Sequence, residues 1–372
     1  FIIHHSSFII HHSSFIIHPL APVGDPMQRT LLAFLALAGC VSAQFRVLSF
    51  YEAPFTPSAP KLDGHLDEPC WAVAPSHTSY YKYFVPNPPP GELRTEHRLL
   101  HDEHGLYVAI INYEEHPDKL RMRFTDRDNP NLWTDDCAEL YIDCHGNGIG
   151  FRRFVITAGG TTGDSMRVDG AVVLDDWSGD SWHAKTSIGS DRWIIEAFFP
   201  WSDLGGRPQP DALWMFCHVR YAFTSGKFVG VTSSAGGNYS NPGGFGYLAF
   251  QTGATSRTPA AVGELLGTCA APPWGLAIGE QLLFNTGSGV QNVRLADQLA
   301  QEQRNLESLR QKVEELLSEQ RLKEKFQPEY DALTSSLSSA AADPMMRLTG
   351  LAAASGNLRA LLARMRLEFD FN

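Results

Sequence analysis

Cys137-Ala138-Glu139-Leu140-Tyr141-Ile142-Asp143 alternates inward and outward side chains along its length. Successive residues of a strand point to opposite faces, so Ala138, Leu140 and Ile142 are expected to enter a core. Glu139, Tyr141 and Asp143 then face the other way, on a side open to a ligand. The same reading, carried outward, places strands at Glu96 to His101, Leu106 to Tyr113, Arg153 to Thr157 and Ser181 to Ile188. It adds Arg192 to Phe199, Leu213 to Ala222 and Phe245 to Phe250. Gly, Pro, Asn and Asp punctuate the gaps, and no helical pattern intervenes between about Arg46 and Phe250. Many short strands with such turns predict a mainly β fold, an antiparallel β-sandwich of immunoglobulin-like or jelly-roll-like type.

The character changes after Phe250. Residues 251–289 are rich in Gly, Pro, Ala and Thr and read as a linker or loosely packed extension. From Val290, Leu295, Leu299, Leu306, Leu309, Val313 and Leu316 recur in helical steps with a coiled-coil-like seam, broken by Glu302. Gln327-Pro328 is expected to interrupt this helix, a second to run from Glu329, and Asp343-Pro344 to cap a third. Residues 290–372 are thus expected to form an α-helical hairpin or short coiled coil. A self-contained structural role and self-association through the seam are both open.

Ahead of the sandwich, Phe-Ile-Ile-His-His-Ser-Ser starts at Phe1, recurs at Phe8 and begins again at Phe15. Residues 1–26 read as translated repetitive DNA upstream of a gene rather than as a His-rich metal tract. Met27-Gln28-Arg29, the apolar Thr30 to Ala38 and the small residues beyond make 27–43 a secretory signal peptide, too short to span a bilayer. Leu37-Ala38-Gly39-Cys40 resembles a lipobox that would lipidate Cys40. Val41-Ser42-Ala43 before Gln44 resembles an ordinary cleavage site. Either route gives an exported bacterial protein: a periplasmic or secreted one, or an outer-membrane lipoprotein, with a sandwich domain at 44–250.

The formal net charge of -11, with no Lys/Arg-rich run to offset it, argues against nucleic acid as a partner. It is indifferent to a neutral ligand. Cys70, Cys137, Cys144, Cys217 and Cys269 have neither the number of a fully paired framework nor the spacing of a zinc site.

Five phrases in order carry a resemblance. Lys61-Leu62-Asp63-Gly64-His65-Leu66-Asp67-Glu68-Pro69-Cys70-Trp71 comes first, then Leu106-Tyr107-Val108-Ala109, then Trp133-Thr134-Asp135-Asp136-Cys137-Ala138-Glu139-Leu140-Tyr141-Ile142-Asp143. Trp193-Ile194-Ile195-Glu196-Ala197-Phe198-Phe199-Pro200-Trp201 and Pro242-Gly243-Gly244-Phe245-Gly246-Tyr247-Leu248 complete the set. Together they resemble the family 9 carbohydrate-binding modules, which belong among DOMON-like sandwiches, over about two hundred residues.

The resemblance implies that a mono-, oligo- or polysaccharide is clamped between two aromatic rings, in a role accessory to polysaccharide breakdown. Position by position, the first ring is Trp133 and the hydroxyl-binding carboxylate is Glu139. The second ring, a Trp in the family, falls on Tyr239. The family's Arg falls on Val155, and Arg153 shares that face by two-residue alternation. An amide of the family falls on Gly236, with Asn238 and Asn241 close by. Trp71, Trp193 and Trp201 belong to framework phrases, while Trp177 and Trp182 read equally as packing residues or as an extension of the binding surface. Family members often carry structural calcium, for which the turn Asp126-Arg127-Asp128-Asn129 has oxygens. No catalytic residue is expected. Two other functions stay open: glycoside hydrolysis by carboxylates among Asp135, Asp136, Glu139 and Asp143, and haem ligation drawn from Met166, Met215 and His218.

Overall fold

The structure, a computed structural model, describes residues 46–85, 88–168, 172–174, 177–252, 256–335 and 343–370. The repeat at 1–26, the signal peptide at 27–43 and the lipidation site Cys40 lie outside the described residues.

In chain order the described elements begin with β1 (Arg46–Val47), β2 (Phe50–Ala53), α1 (Pro69–Val73), β3 (Tyr81–Lys82), β4 (Thr95–His101) and β5 (Gly105–Tyr113). Then come β6 (Cys137–Asp143), β7 (Phe151–Thr157), β8 (Thr162–Val168), β9 (Val172–Leu174), β10 (His183–Ile188) and β11 (Arg192–Pro200). After β12 (Leu213–Ala222), β13 (Val229–Thr232) and β14 (Gly246–Phe250) follow α2 (Pro259–Cys269), β15 (Trp274–Ile278), β16 (Gln281–Asn285) and β17 (Val290–Arg294). The helices α3 (Leu295–Leu317), α4 (Gln320–Ser335) and α5 (Pro344–Asp370) close the chain.

The sandwich is formed by two sheets. One has the order β10-β11-β5-β4, antiparallel throughout. The other runs β2-β14-β12-β6-β7-β8-β9, with β13 also on β12 and β3 on β13. It is antiparallel except where β2 joins β14 in parallel. Between them lie Val108 and Ile110 of β5, Trp193, Ile195 and Phe199 of β11, and Leu140, Phe154 and Phe216 of the larger sheet, all fully buried. The alternation of Ala138, Leu140 and Ile142 supplies this inner face, as the strand pattern predicts.

The first and fourth sequence phrases are tied by one buried carboxylate. Glu196 on β11 accepts the Trp71 indole N–H at 2.9 Å and the backbone N–H groups of Asp63 and Gly64 at 3.0 and 2.7 Å. Burial raises its pKa, against three hydrogen bonds that favour the charge. Gly64, at φ +87, sits 2.9 Å from the Thr186 backbone at the point a Cβ would occupy, so only glycine fits there. Trp71, Trp193 and Trp201 are core residues. Trp182 is too, stacked on Phe199 at 5.5 Å, and Trp177 packs on the rim of the same core.

Three expectations are corrected here. The stretch 251–289 holds α2, β15 and β16 instead of a linker. Its small residues hide an apolar set, Val262, Leu266, Trp274, Leu276 and Leu283, that belongs to one buried cluster with Cys137, Tyr141, Val155, Met215 and Cys217. β1 pairs in parallel with β15, and Leu295 starts the helical region, since Val290–Arg294 is a strand on β16. The second face of β6 is consequently open only in part: Tyr141 is fully buried and Asp143 nearly so. Asp143 brackets the following turn through the N–H groups of His145, Gly146 and Gly148.

The helices pack on one another through Leu306, Val313, Leu322, Phe326, Leu358, Leu361 and Met365. The break between the helices falls at Ser318-Glu319, and Pro328 lies inside α4 rather than ending it. The missing N–H of Pro328 costs one helical bond, but the buried Leu322, Phe326 and Tyr330 hold the helix on its neighbours. Asp343 caps α5 as expected, accepting the Met346 N–H at 2.9 Å. The seam of α3 is filled by this chain's own α4 and α5, which leaves Leu306 and Val313 buried without a second copy.

Candidate functional site

Beside the α2 cover, the outer face of the larger sheet carries a cavity of about 500 Å3. Strand register builds its floor. Glu139 lies opposite Val219 and Val155, Tyr141 opposite Arg153, and Arg153 opposite Ser165. Two-residue alternation then aligns Tyr221 of β12, Glu139 of β6, Arg153 and Phe151 of β7, and Ser165 and Arg167 of β8 on one side. All six line the cavity.

The walls come from loops. Leu132–Thr134 is a single 3₁₀ turn whose buried Leu132 turns Trp133 outward, 48% exposed. The turn is held by Asp135, which accepts the backbone N–H groups of Arg123 and Phe124 and pairs with the Arg123 guanidinium at 2.8 Å. Asp136 does the same for the N–H groups of Arg121 and Phe223. Tyr239 stands on the loop between β13 and β14, 51% exposed, and its carbonyl accepts from Arg167 at 2.6 Å. Tyr83, Phe84 and Phe228 complete the rim. The rings touch in series: Phe84 to Tyr239 at 5.6 Å, Tyr83 to Phe84 at 4.9 Å, Tyr221 to Phe228 at 5.4 Å.

Under the rings lies a charged and hydroxylic network. Buried Glu139 is paired with Arg153 on one oxygen and accepts the Tyr141 hydroxyl on the other. The Tyr221 hydroxyl lies 3.4 Å from that second oxygen and 3.0 Å from the Tyr83 hydroxyl. Burial opposes the charge on Arg153, but the Glu139 carboxylate outweighs it and holds the guanidinium above its ordinary range. Burial, then Glu139, keeps Tyr141 and Tyr221 protonated far above the usual phenol range. The floor therefore holds a neutralised ion pair and protonated phenols, with the hydroxyls of Tyr141 and Tyr221 donated within the network.

Of the residues expected from sequence, Trp133, Glu139, Arg153 and Tyr239 are brought to this one cavity. Asn238 is not among its lining residues. It lines a neighbouring cleft, because its amide is turned back onto the Gly236 carbonyl and its Oδ1 accepts from Ser240. Val155 is buried in the apolar cluster of the outer face, which also holds Leu132. Tyr83, Phe84, Phe228 and Tyr221 escaped the sequence reading, although Tyr80-Tyr81-Lys82-Tyr83-Phe84 is a dense aromatic run.

Asp135, Asp136 and Asp143 are taken up by loop backbones, so among the described residues Glu139 is the only carboxylate of that group lining the cavity. Of the haem ligands expected, Met215 and His218 do not converge: they are three apart on β12 and face opposite sides of the sheet. Met215 is in the outer cluster, whereas the ring of His218 meets Tyr80, which also meets His97. In the expected calcium turn, Asp128 pairs with Arg127 at 3.3 Å and accepts the Asp164 N–H. Among the described residues no group of three or more His, Cys, Asp or Glu is placed to hold a metal.

No family model and no curated protein matches the sequence. Among solved structures, the chain is similar to a family 9 carbohydrate-binding module from Caldicellulosiruptor kristjanssonii in complex with cellotriose. The identity is 16%, the TM-score 0.41, and the match covers 57% of this chain and 97% of that one. The same organism's module in complex with glucose matches at 16% identity and TM-score 0.41, over 56% of this chain and 99% of that one. A candidate carbohydrate-binding protein from Bacteroides uniformis matches at 11% identity and TM-score 0.42, over 55% and 99%.

Proposed function

We propose that this chain binds carbohydrate in the cavity between Trp133 and Tyr239, as an exported bacterial protein accessory to polysaccharide breakdown. One observation carries the binding site. Among the described residues five Phe, Tyr or Trp side chains are exposed, and four of them, Phe84, Trp133, Phe228 and Tyr239, line this cavity. Large aromatics left in water cost solvation, and a cluster of them marks a binding surface. A sugar ring has an apolar C–H face for such rings and a rim of hydroxyls for the donors and acceptors beneath. A volume of about 500 Å3 lies within the roughly 300–1,000 Å3 of small-molecule sites. The pairing of Glu139 with Arg153 neutralises both, which suits an uncharged polyol.

The test is a screen of the protein against an array of neutral glycans, followed by calorimetric titration of each hit. Binding of at least one glycan series, lost in Trp133→Ala, is expected; no binding across the array overturns the reading. Export rests on the leader 27–43. The mass of the mature N-terminus from cell envelopes separates lipidation of Cys40 from cleavage before Gln44.

A further inference from the structure

Seven of the eleven residues that line the aromatic cavity are Phe, Tyr or Trp. On one side their rings meet in a continuous wall. Tyr239 meets Phe84 at 5.6 Å, Phe84 meets Tyr83 at 4.9 Å, and Tyr83 and Tyr221 are 5.4 Å apart. Tyr221 then meets Phe228 at 5.4 Å. The planes of these pairs are inclined by 48° to 86°, so none of them is stacked face to face. In the core the opposite holds, where the Trp182 and Phe199 planes differ by 16°. Trp133 stands on its own 3₁₀ turn. Phe84 is 55% exposed and holds φ +60, a backbone region that a bulky residue rarely enters. The Tyr83 N–H, donated to the Gly230 carbonyl at 3.0 Å, fixes the strand that leads into it. Such strain persists where the surroundings hold a side chain in place for a ligand.

The polar part of the lining is small by comparison. Besides the phenol hydroxyls it consists, among the described residues, of Glu139, Arg153, Ser165 and Arg167. Three of these are already bonded within the protein. The Glu139 oxygens accept from Arg153 and Tyr141, and Arg167 donates to the Tyr239 carbonyl. The Tyr221 hydroxyl is donated to that of Tyr83. What these groups can still give suits the hydroxyl rim of one sugar ring. A second sugar buried beside it would bring several more hydroxyls, and each one left without a partner weakens binding. A flat apolar group brings none, and aromatic faces that are not stacked on one another can receive it. At about 500 Å3 the cavity is of a size that takes a drug-sized ligand, larger than a single sugar ring.

We propose that the ligand is a sugar bearing an aromatic substituent, as an aryl glycoside or an aromatic ester. The sugar lies between Trp133 and Tyr239 over the Glu139–Arg153 pair, and the ring of its substituent packs on the wall formed by Phe84, Tyr83 and Phe228. This rests on the carbohydrate reading of the same cavity and narrows its substrate class.

Calorimetric titration of the full chain tests it with three derivatives each of glucose, xylose, mannose and galactose. These are the methyl β-glycoside, the phenyl β-glycoside, and the methyl β-glycoside carrying one benzoate ester. In whichever series binds, one of the two aromatic derivatives is expected to bind about ten-fold more tightly than the plain methyl glycoside, the worth of one ring packed on aromatic faces. Which of the two does so tells the glycoside from the ester. Phe84→Ala/Phe228→Ala should bring that ratio down toward one, whereas Trp133→Ala should weaken all three compounds and preserve it. Equal affinity for all three, or a ratio that survives the double substitution, overturns the substituent while leaving the carbohydrate reading in place. Phenol and methyl benzoate are the controls: if either binds as tightly as its sugar conjugate, the sugar contributes nothing and both readings fall. Absence of binding in all four series also overturns both.

Discussion

The Arg153 guanidinium is paired with the Glu139 carboxylate across the β6–β7 ladder, on the floor of the cavity and under its aromatic rim. Glu139 is buried while the Arg153 side chain is 30% exposed, so the anion depends on the cation more than the reverse.

Arg153→Met should therefore destabilise the fold by about 2–3 kcal/mol, at the low side of the range for a broken buried pair because Arg153 reaches water. Glu139→Gln in the same chain should recover most of the loss, since it removes the stranded charge. Urea midpoints of the two single variants and the double variant form the cycle. Additive losses would mean that the pair contributes nothing through its own contact.

Trp133→Ala should weaken sugar binding by roughly ten-fold or more, because aromatic stacking is worth about 0.5–1.5 kcal/mol beyond area burial and the ring also loses contact area. The melting temperature should hardly move, since the ring is half exposed and its turn is anchored by buried Leu132 and by Asp135. Tyr239→Trp enlarges the opposite surface and should hold or improve affinity. A large fall in melting temperature for Trp133→Ala would assign the ring to packing.

Acid should unfold the protein through histidines. His97 and His218 are buried with their Nε2 atoms unpartnered among the described residues, and both donate to or accept from the Tyr80 hydroxyl, at 2.8 and 2.6 Å. Burial lowers the pKa of His218 to about 3, that of His77 to about 4, and that of His97 well below its ordinary value. For a group with a depressed folded pKa the unfolded chain binds protons first. The stability is thus complete above the unfolded value of about 6.5 and is lost as pH falls toward the folded values. The expected slope reaches about 1.4 kcal/mol per pH unit for each histidine. Buried Glu196, Asp136 and Asp164, whose pKa values burial raises, act with the opposite sign at the acid end. Urea midpoints at pH 7.5, 6 and 5 should fall steadily, and less steeply in His97→Gln. A flat profile, or an unchanged slope in that variant, would remove the histidines as the cause.

Truncation should separate the two cores. A chain ending at Arg294 keeps β17 on β16 and should fold and bind as the full protein does. A chain ending at Phe250 strips α2, β15 and β16 from Tyr141, Met215 and Cys217, and should lose much of its stability. Equal thermal midpoints for the two would show that the cover contributes little.

Strand positions were legible because their period is local. Cys137–Asp143 and Leu213–Ala222 occupy the residues that alternation assigns them, and β4, β5, β11 and β14 differ only at their ends. The gathering of Trp133, Glu139, Arg153 and Tyr239 at one cavity followed from the family phrases and strand parity. Parity fixes which side a residue faces, but not what covers that side. That limit explains why Tyr141, covered by Phe245 from more than a hundred positions away, and Asp143, whose oxygens are taken by the turn that follows it, were expected to be open. Asn238 illustrates the same limit in a loop, where hydrogen bonds to Gly236 and Ser240, not any period, decide which cleft it lines.

The sequence by itself determined the alternating strands, the inner core between the sheets, the cap at Asp343 and the face on which Glu139 and Arg153 meet. Each depends on near neighbours or on the two-residue period of a strand, which sequence records directly. Only the tertiary structure decided that the outer face is half covered by α2 and its sheet and that the seam of α3 is filled by α4 and α5. It also decided that Phe84, Phe228 and Tyr83 join Trp133 and Tyr239 around one cavity. Those outcomes depend on contacts between segments far apart in the chain, and burial of apolar surface is non-directional, so no local pattern specifies which partner provides the cover.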